Sequence, residues 1–408
     1  MSVFATATGI GSWPGTAARE AAQVVVGELA GALAYLTELP ARGVGADMLG
    51  RAGGLLVDVA IDTVPRGYRI AARPGAVTRR AASLLDEDMD ALEEAWETAG
   101  LRGCGRAVKV QAPGPVTLVA GLELANGHRA ITDPGAVRDL AASLAEGVAA
   151  HRAALARRLD TPVVVQFDEP SLPAALGGRL TGVTALSPVA PLDETVAEAL
   201  LDTCIAAVDA DVALHSCSPD LPWDLLQRSR ISAVSVDAST LQAADLDAVA
   251  AFVESGRTVV LGLVPVTAPE RAPAVRAHCP VALARPHAGL TPSRSRSAER
   301  GTPSRSVTAT AAAATSSIEG ARSGAVTGTR PSTTVRPDST NAATASKSAA
   351  CRCIAVTDRL GVPRSALRDR LGVSPACGLA NATGQWARTA VGLARDVAEA
   401  FARDPEAI

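Results

Sequence analysis

The residues best suited to chemistry in this sequence are a histidine and a cysteine two positions apart, His215 and Cys217. They follow an apolar run at residues 212–214, which predicts a β-strand. Residues i and i+2 of a strand point to the same side, about 7 Å apart, so both side chains can reach one ion. Imidazole and thiolate are ligands that zinc prefers, but a core cysteine beside a hydrogen-bonded histidine has the same spacing. The pair therefore indicates a metal site only together with further ligands.

Two further candidates for metal ligands, Asp237 and Cys377, stand at the ends of other apolar runs. If those runs are parallel strands of one barrel, their carboxyl ends ring the same mouth, where the two side chains would join His215 and Cys217. The alternative is that Asp237 caps a helix and that Cys377 is a small buried hydrophobic residue.

A pair of adjacent acids, Asp168 and Glu169, follows another apolar run and precedes Pro170. Carboxylates at a strand end can transfer protons or bind an amine, so both residues are catalytic candidates. The alternative is a capped turn without chemistry. A separate glycine-containing segment at residues 9–14 can bring backbone amides close to a ligand, because glycine permits a close approach of the backbone.

These candidates need elements that bring them together, and the apolar pattern supplies eight. Short apolar or β-branched runs alternate with alanine-rich stretches, which is typical of parallel strands covered on both faces by helices. Eight such units fit a (β/α)8 TIM barrel, whose functional residues lie where the strands end. A doubly wound open sheet is the alternative, but the sequence lacks the G-x-G-x-x-G turn that such sheets usually carry for dinucleotides. The eight predicted strands cover residues 6–11, 36–40, 108–110, 163–167, 212–214, 233–236, 259–263 and 371–374.

A long segment of different composition interrupts this pattern before the last strand. Residues 291–350 are rich in serine, threonine, alanine and arginine and contain no leucine and no aromatic residue. Apolar burial cannot offset the entropy lost on folding there, so we predict a disordered segment. The predicted domain is thus a single barrel made of residues 1–272 and 354–408. Residues 273–353 are interpreted as an insertion or as the product of a compensated reading-frame error.

The composition excludes several classes of protein. The chain has 408 residues, of which 48% are hydrophobic and 2% aromatic, so its core must be built from alanine, valine and leucine. A net charge of -3 argues against a nucleic-acid binder. Apolar stretches are interrupted before they reach the roughly 18–20 residues of a membrane span. The first charged residue is Arg19, so no secretory signal is expected, and seven cysteines then favour reduced thiols in the cytoplasm.

Six short segments occur in order along the chain, at residues 9–16, 111–118, 166–170, 215–217, 235–239 and 375–379. Together they resemble the catalytic domain of the cobalamin-independent methionine synthase family. The resemblance extends over residues 1–272 and 354–408. It implies a barrel of the methionine synthase and uroporphyrinogen decarboxylase-like type, in the single-barrel form. It also implies methyl transfer from 5-methyltetrahydrofolate (polyglutamate) to the thiol of homocysteine.

The resemblance further implies Zn2+ as the cofactor. Asp237 stands where the family usually has glutamate. The aspartate side chain is shorter, so it would bind zinc after a small movement of its strand. Zinc takes up the substrate sulfur and keeps it as a thiolate, which a free thiol with a pKa of about 8.5 is only in part at neutral pH. The implied zinc ligands are His215, Cys217, Asp237 and Cys377.

The implied substrates are homocysteine and a methyl-folate. Ile10, Gly11 and Ser12 match the stretch that contacts homocysteine, and Asp168 matches the carboxylate that holds its ammonium group. Gln111 is expected on the folate side. No nucleic-acid or membrane partner is expected, and the oligomeric state stays open.

One departure from the family leaves the acceptor thiol open, because Arg42 aligns with a glutamate that also holds the amino acid. Asp168 and Glu169 are the candidates for organising protonation of the departing amine. Two other functions remain open at this point. The first is a corrinoid-dependent thiol methyltransferase with methylcobalamin as the donor, and the second is a zinc-holding barrel without catalysis.

Overall fold

The computed structural model of the protein describes residues 2–29, 31–184, 188–269 and 339–406. The strands in these ranges are β1 (Ala34–Tyr35), β2 (Ala60–Val64), β3 (Gly67–Ala71), β4 (Val108–Pro113), β5 (Leu122–Glu123), β6 (Val163–Asp168), β7 (Val212–Ser216), β8 (Ala233–Asp237), β9 (Thr258–Val264) and β10 (Leu371–Pro375). The helices are α1 (Ala18–Glu28), α2 (Met48–Ala52), α3 (Ala76–Thr98), α4 (Pro115–Gly121), α5 (Pro134–Leu159), α6 (Leu172–Leu176), α7 (Glu194–Ala207), α8 (Trp223–Arg228), α9 (Ala243–Glu254), α10 (Ser339–Arg359), α11 (Arg364–Leu367) and α12 (Gly384–Arg403). Short 3-10 turns cover Pro40–Arg42 and Ala130–Thr132.

Seven strands form one parallel sheet that closes into a barrel. Their order is β1-β4-β6-β7-β8-β9-β10, and each neighbouring pair is parallel. The segment around Ala7 completes the ring on both sides. Ala7 forms a parallel bridge with Val373 of β10, and its carbonyl accepts a hydrogen bond of 3.0 Å from the amide of Leu33, just before β1. This ring confirms the predicted (β/α)8 barrel over the open sheet.

Alternation along the strands separates two cores, because successive side chains point to opposite faces. In β6, Val163, Val165 and Phe167 pack outward beneath the helices. Val164 points inward with the other members of a small apolar cluster inside the barrel. The next inward positions of the same strand are Gln166 and Asp168. The interior is therefore apolar at the amino ends of the strands and polar at their carboxyl ends. The small inner cluster consists of Phe4, Leu33, Val164, Ala213, Ala233 and Val260.

Six of the eight predicted strands lie where the apolar runs placed them. The first, at residues 6–11, forms only the bridge of Ala7 with Val373, and the second is displaced. It was expected at residues 36–40, whereas β1 is Ala34–Tyr35. The chain still runs beside its neighbours beyond β1, since the amide of Leu36 donates to the carbonyl of Lys109 at 2.9 Å. Pro40 then begins a 3-10 turn, because proline has no amide hydrogen to offer a ladder.

A small three-stranded sheet, β2-β3-β5, was not predicted. Its β2 and β3 form an antiparallel hairpin, and β5 adds in parallel to β3. Tyr68 of β3 accepts a hydrogen bond of 3.0 Å from the amide of Gly45 and donates one to Asp47. The sheet thereby fixes the loop that leads into α2.

The helix before the last strand begins at Ser339, so residues 339–353 of the predicted insertion are helical here. Ala345, Ala349, Ala350 and Cys353 are buried, and α10 packs on β9 and α12. Small side chains allow this close approach, which the composition argument overlooked. The remainder of the predicted insertion, residues 273–338, lies outside the described residues. Among the residues that the structure describes, no helix has the length and apolar character needed to cross a membrane.

Candidate metal and substrate site

His215, Cys217 and Cys377 meet at the carboxyl ends of the strands. His215 lies in β7, Cys217 follows it directly, and Cys377 is two residues beyond β10. One ligand atom from each lies within 4.8 Å of the others, and the two sulfurs are 3.0 Å apart. The structure thus brings together three of the four residues that the resemblance implied as zinc ligands, from positions 160 residues apart in the chain.

The imidazole of His215 is held in one orientation from behind. Its Nδ1 lies 3.1 Å from the carbonyl oxygen of Ser235 in β8 and 3.3 Å from the hydroxyl of the same residue. A carbonyl only accepts, so Nδ1 carries a hydrogen. This arrangement is the usual support of a metal-binding histidine.

The two cysteines form one unit that can share a proton. The two sulfurs are hydrogen-bonded to each other. Contact with Cys217 and with His215 lowers the pKa of Cys377 to about 4, and the same contact, together with burial, raises the pKa of Cys217. A bound cation would take the place of a proton shared by the two sulfurs.

Asp237 is not part of this group of ligand atoms. It ends β8, and its carboxylate accepts hydrogen bonds from the amide and hydroxyl of Ser239 at 2.8 and 2.7 Å. These contacts hold a tight turn after the strand. The N-cap of the next helix, α9, is Gln242, so Asp237 does not cap a helix.

A cavity of about 300 Å³ opens beside the three ligands. Its wall includes Ile10, Gly11 and Ser12, as expected for the residues assigned to homocysteine. The Ser12 carbonyl accepts a hydrogen bond of 2.9 Å from the amide of Leu379. A Cβ atom at Gly378 would lie 2.1 Å from the Ser12 hydroxyl, so glycine at this position leaves room for the Ser12 side chain. The remaining lining residues are Glu38, Pro40, Ala46, Met48, Asp168, Pro170, His215, Cys217, Cys377, Gly378, Ala380 and Asn381.

Two buried carboxylates, Asp168 and Glu38, line the same cavity. Burial raises the pKa of Asp168 to about 6, although His215 and Lys109 oppose the shift. Burial also raises the pKa of Glu38 to about 7, against the effect of Arg51 and with that of Asp168. The pair provides negative charge with little water to screen it, which suits a bound ammonium group.

Arg42, which aligned with a substrate-binding glutamate, is absent from the cavity wall. It donates to the carboxylate of Asp88 at 2.6 and 2.8 Å. Glu38, four positions earlier, lines the cavity and lies 3.9 Å from the Nε of Arg51. The cavity therefore has a second carboxylate beside Asp168 although residue 42 is an arginine.

Glu169 faces away from the cavity, unlike its neighbour Asp168. Its carboxylate accepts hydrogen bonds from the amides of Val116 and Thr117, both at 2.8 Å, and from the Thr117 hydroxyl at 2.6 Å. These groups begin α4, so Glu169 satisfies the free amides of that helix. The Glu169 carboxylate therefore stabilises the start of α4 and does not face the cavity.

Gln111 lies behind the wall of the cavity. Its amide nitrogen donates to the carbonyl of Leu36. A side chain on Gly11 would lie 2.8 Å from the Cγ of Gln111, so the glutamine packs directly under the loop that contacts the cavity. The structure thus places Gln111 beneath the site expected for homocysteine.

The sequence analysis missed two residues at this site, Glu38 and Lys109. Glu38 was seen only as a charge that interrupts an apolar stretch. Lys109 is completely buried inside the barrel, in a strand whose six residues are all buried. A lysine within such an apolar run was the available signal, because a buried charge requires specific partners.

Comparisons with known proteins agree with this site. A family model described as "Cobalamin-independent synthase, Catalytic domain" matches residues 4–280 and 306–400. Among solved structures, the chain is similar to a B12-independent methionine synthase from Shewanella sp. W3-18-1 in complex with selenomethionine. The identity is 12%, the TM-score is 0.52, and the match covers 99% of this chain and 100% of that chain. A search of curated proteins finds no match.

The family match extends over most of the chain and therefore shows membership of the family, which the similarity of fold alone does not. The segments it includes contain both cysteines, the histidine and the two buried carboxylates of the cavity. The chain therefore belongs to the cobalamin-independent methionine synthase family, as a catalytic domain that transfers a methyl group to homocysteine.

Proposed function

We propose that this enzyme uses Zn2+ and 5-methyltetrahydrofolate, in its polyglutamate form, to convert homocysteine to methionine. The observation that carries the proposal is the convergence of His215, Cys217 and Cys377 beside a cavity with two buried carboxylates. We also propose a cytoplasmic location, where thiols of this kind stay reduced.

The donor set fits zinc. Two cysteine sulfurs and one imidazole are ligands that this ion prefers, and three protein ligands with one exchangeable position are typical of catalytic zinc sites. The Nε2 of His215 is free to bind because Nδ1 is engaged with Ser235. When bound, zinc supplies a positive charge that keeps the homocysteine sulfur ionised at neutral pH.

The residues of the chain position the amino acid around that sulfur. Asp168 and Glu38 hold the ammonium group, because both carboxylates line the cavity and are shielded from water. The loop of Ile10, Gly11 and Ser12 forms the adjoining wall. Binding at these points fixes the sulfur in one place and thereby removes much of the entropic cost of the reaction.

The reaction itself is a displacement. A sulfur–carbon bond forms as the bond between N5 of the folate and its methyl group breaks. The electron pair of that bond stays on N5, which takes up a proton. The surrounding cavity wall excludes bulk water from the sulfur, which leaves the thiolate poorly solvated and reactive.

The donor is tested with purified, zinc-loaded protein, homocysteine and either 5-methyltetrahydrofolate or methylcobalamin. We expect methionine to form with the folate, and more rapidly with its polyglutamate form. Turnover with methylcobalamin alone would contradict the folate assignment. Stoichiometric zinc without methyl transfer from either donor would instead identify a zinc-holding barrel without catalysis.

A further inference from the structure

The most unusual residue that the mechanism above does not use is Lys109. It belongs to β4, points into the barrel and has no exposed surface. Its Nζ donates to the carbonyl of Gly9 at 2.6 Å, to the carbonyl of Ile10 at 3.0 Å and to the amide oxygen of Gln166. Three acceptors require three hydrogens, so this geometry describes an ammonium group.

The charge of Lys109 is compensated by the acids of the cavity. Burial lowers the pKa of Lys109 to about 7, while Asp168 and Glu38 act in the opposite direction. A buried cation without such partners would be strongly destabilising. Lys109 and the two carboxylates therefore form one electrostatic group at the base of the cavity.

Gln166 connects this cation to Asp168. Its amide oxygen accepts from Lys109, and its amide nitrogen donates to Asp168 Oδ1 at 2.7 Å and to the carbonyl of Ile10 at 2.8 Å. An amide can be turned to present either oxygen or nitrogen to a neighbour. The ammonium group of Lys109 at the oxygen, and the two acceptors at the nitrogen, together fix one orientation, in which the nitrogen faces the carboxylate.

We propose that Lys109 is a positioning residue for amino-acid recognition. Through Gln166 and the carbonyl of Ile10, it holds Asp168 as a fixed, ionised acceptor for the α-ammonium group of the substrate. The inference rests on the function proposed above. It adds that the selectivity for an amino acid over a simple thiol depends on a residue that does not touch the substrate.

Replacing Lys109 should have a specific effect on substrate binding that the loss of a purely structural lysine would not have. Without Lys109, the amide oxygen of Gln166 loses its donor, so the amide is held through its nitrogen alone and fixes the Asp168 carboxylate less firmly. The ligands of the substrate sulfur are not part of this chain of contacts, and Lys109 reaches the loop of Gly9 and Ile10 only at backbone carbonyls, which cannot bind a substrate carboxylate. Only ligands that carry an α-amino group should therefore be affected.

The test compares two ligands that differ in that group alone, methionine and 4-(methylthio)butanoate. Their dissociation constants are measured by calorimetry on the zinc-loaded protein, which makes the result independent of the methyl donor. We expect the wild-type protein to prefer methionine. In Lys109→Met we expect that preference to fall by at least about tenfold, with the affinity for 4-(methylthio)butanoate unchanged, since hydrogen bonds of charged groups are worth more than neutral ones.

Gln166→Met is the second variant, because it keeps the lysine and breaks only the connection to Asp168. It should reduce the preference for methionine in the same direction, even if Lys109→Met does not fold. Ser143→Ala is the control for general loss of stability, since its hydroxyl donates to the carbonyl of Val57 outside the site. It should alter neither affinity.

The outcomes distinguish a failure of the proposed ammonium site from a failure of the positioning role of Lys109. If wild-type protein binds both ligands equally, the ammonium site of the proposed function is wrong, and this inference fails with it. If the wild-type protein prefers methionine, and Lys109→Met and Gln166→Met either keep that preference or weaken both ligands equally, the positioning role alone is overturned.

Discussion

Replacing Cys217 with serine tests the metal assignment most directly. The described residues provide three ligands whose atoms lie within 4.8 Å of one another, from His215, Cys217 and Cys377. Structural zinc sites with four ligands have apparent binding free energies of about 10–16 kcal/mol, or about 2.5–4 kcal/mol for each ligand if shared equally. Losing one thiolate should therefore weaken zinc binding by about two to three orders of magnitude.

The assay is a competition titration against a chromophoric zinc chelator, with thermal unfolding of the zinc-free protein alongside. Cys217 is only half-buried, so the serine variant should unfold at nearly the same temperature as the zinc-free wild type. Cys104→Ser is the matched control, because Cys104 is exposed and outside the ligand group. Asp237→Asn should also keep its zinc, since that carboxylate is bonded to Ser239. The assignment is refuted if Cys217→Ser binds zinc as tightly as the Cys104→Ser control.

Two further predictions concern the buried charges around the cavity. Burial raises the pKa of Glu38 to about 7, so protonation should weaken methionine binding as the pH falls through that value. In Glu38→Gln, only the loss of methionine affinity near pH 6, which we assign to Asp168, should remain. If calorimetry gives this variant the same dependence of affinity on pH as the wild type, the ammonium site is contradicted. Asp88→Asn should lower the free energy of unfolding in urea by about 3–5 kcal/mol, because it removes the buried carboxylate that the guanidinium groups of Arg42 and Arg51 share. The exposed Asp90→Asn should cost no more than about 1 kcal/mol, and equal losses in the two variants would contradict this reasoning.

The barrel was predictable because its strands are buried on both faces. Residues 163–165 and 259–263 are continuous apolar runs. Such runs indicate strands of a parallel sheet even when the partner strand is not known. The hairpin of β2 and β3 could not be found in this way. Its burial is partial and irregular along both strands, so no strict alternation of apolar and polar residues marks it.

Site residues could be predicted where a metal-binding residue type stands at the end of a predicted strand. They could not be predicted where their role depends on burial. His215, Cys217 and Cys377 are residue types with a known preference for metals, and each follows an apolar run. Glu38 and Lys109 are ordinary charged residues, and nothing in their types distinguishes them from surface charges. Their roles follow from what surrounds them in three dimensions, which a single sequence does not contain.

The closing of the ring has a consequence for the order in which the protein is made. Val373, which pairs with Ala7, and Cys377, which contacts Cys217, belong to one short stretch that is synthesised after β9. A nascent chain that has emerged as far as β9 has an open seam and, in the same place, an incomplete set of metal ligands. Under the proposed function, uptake of the ion thus reports that the two edges have joined, and a chain that stalls before this stretch is both unsealed and unable to retain metal.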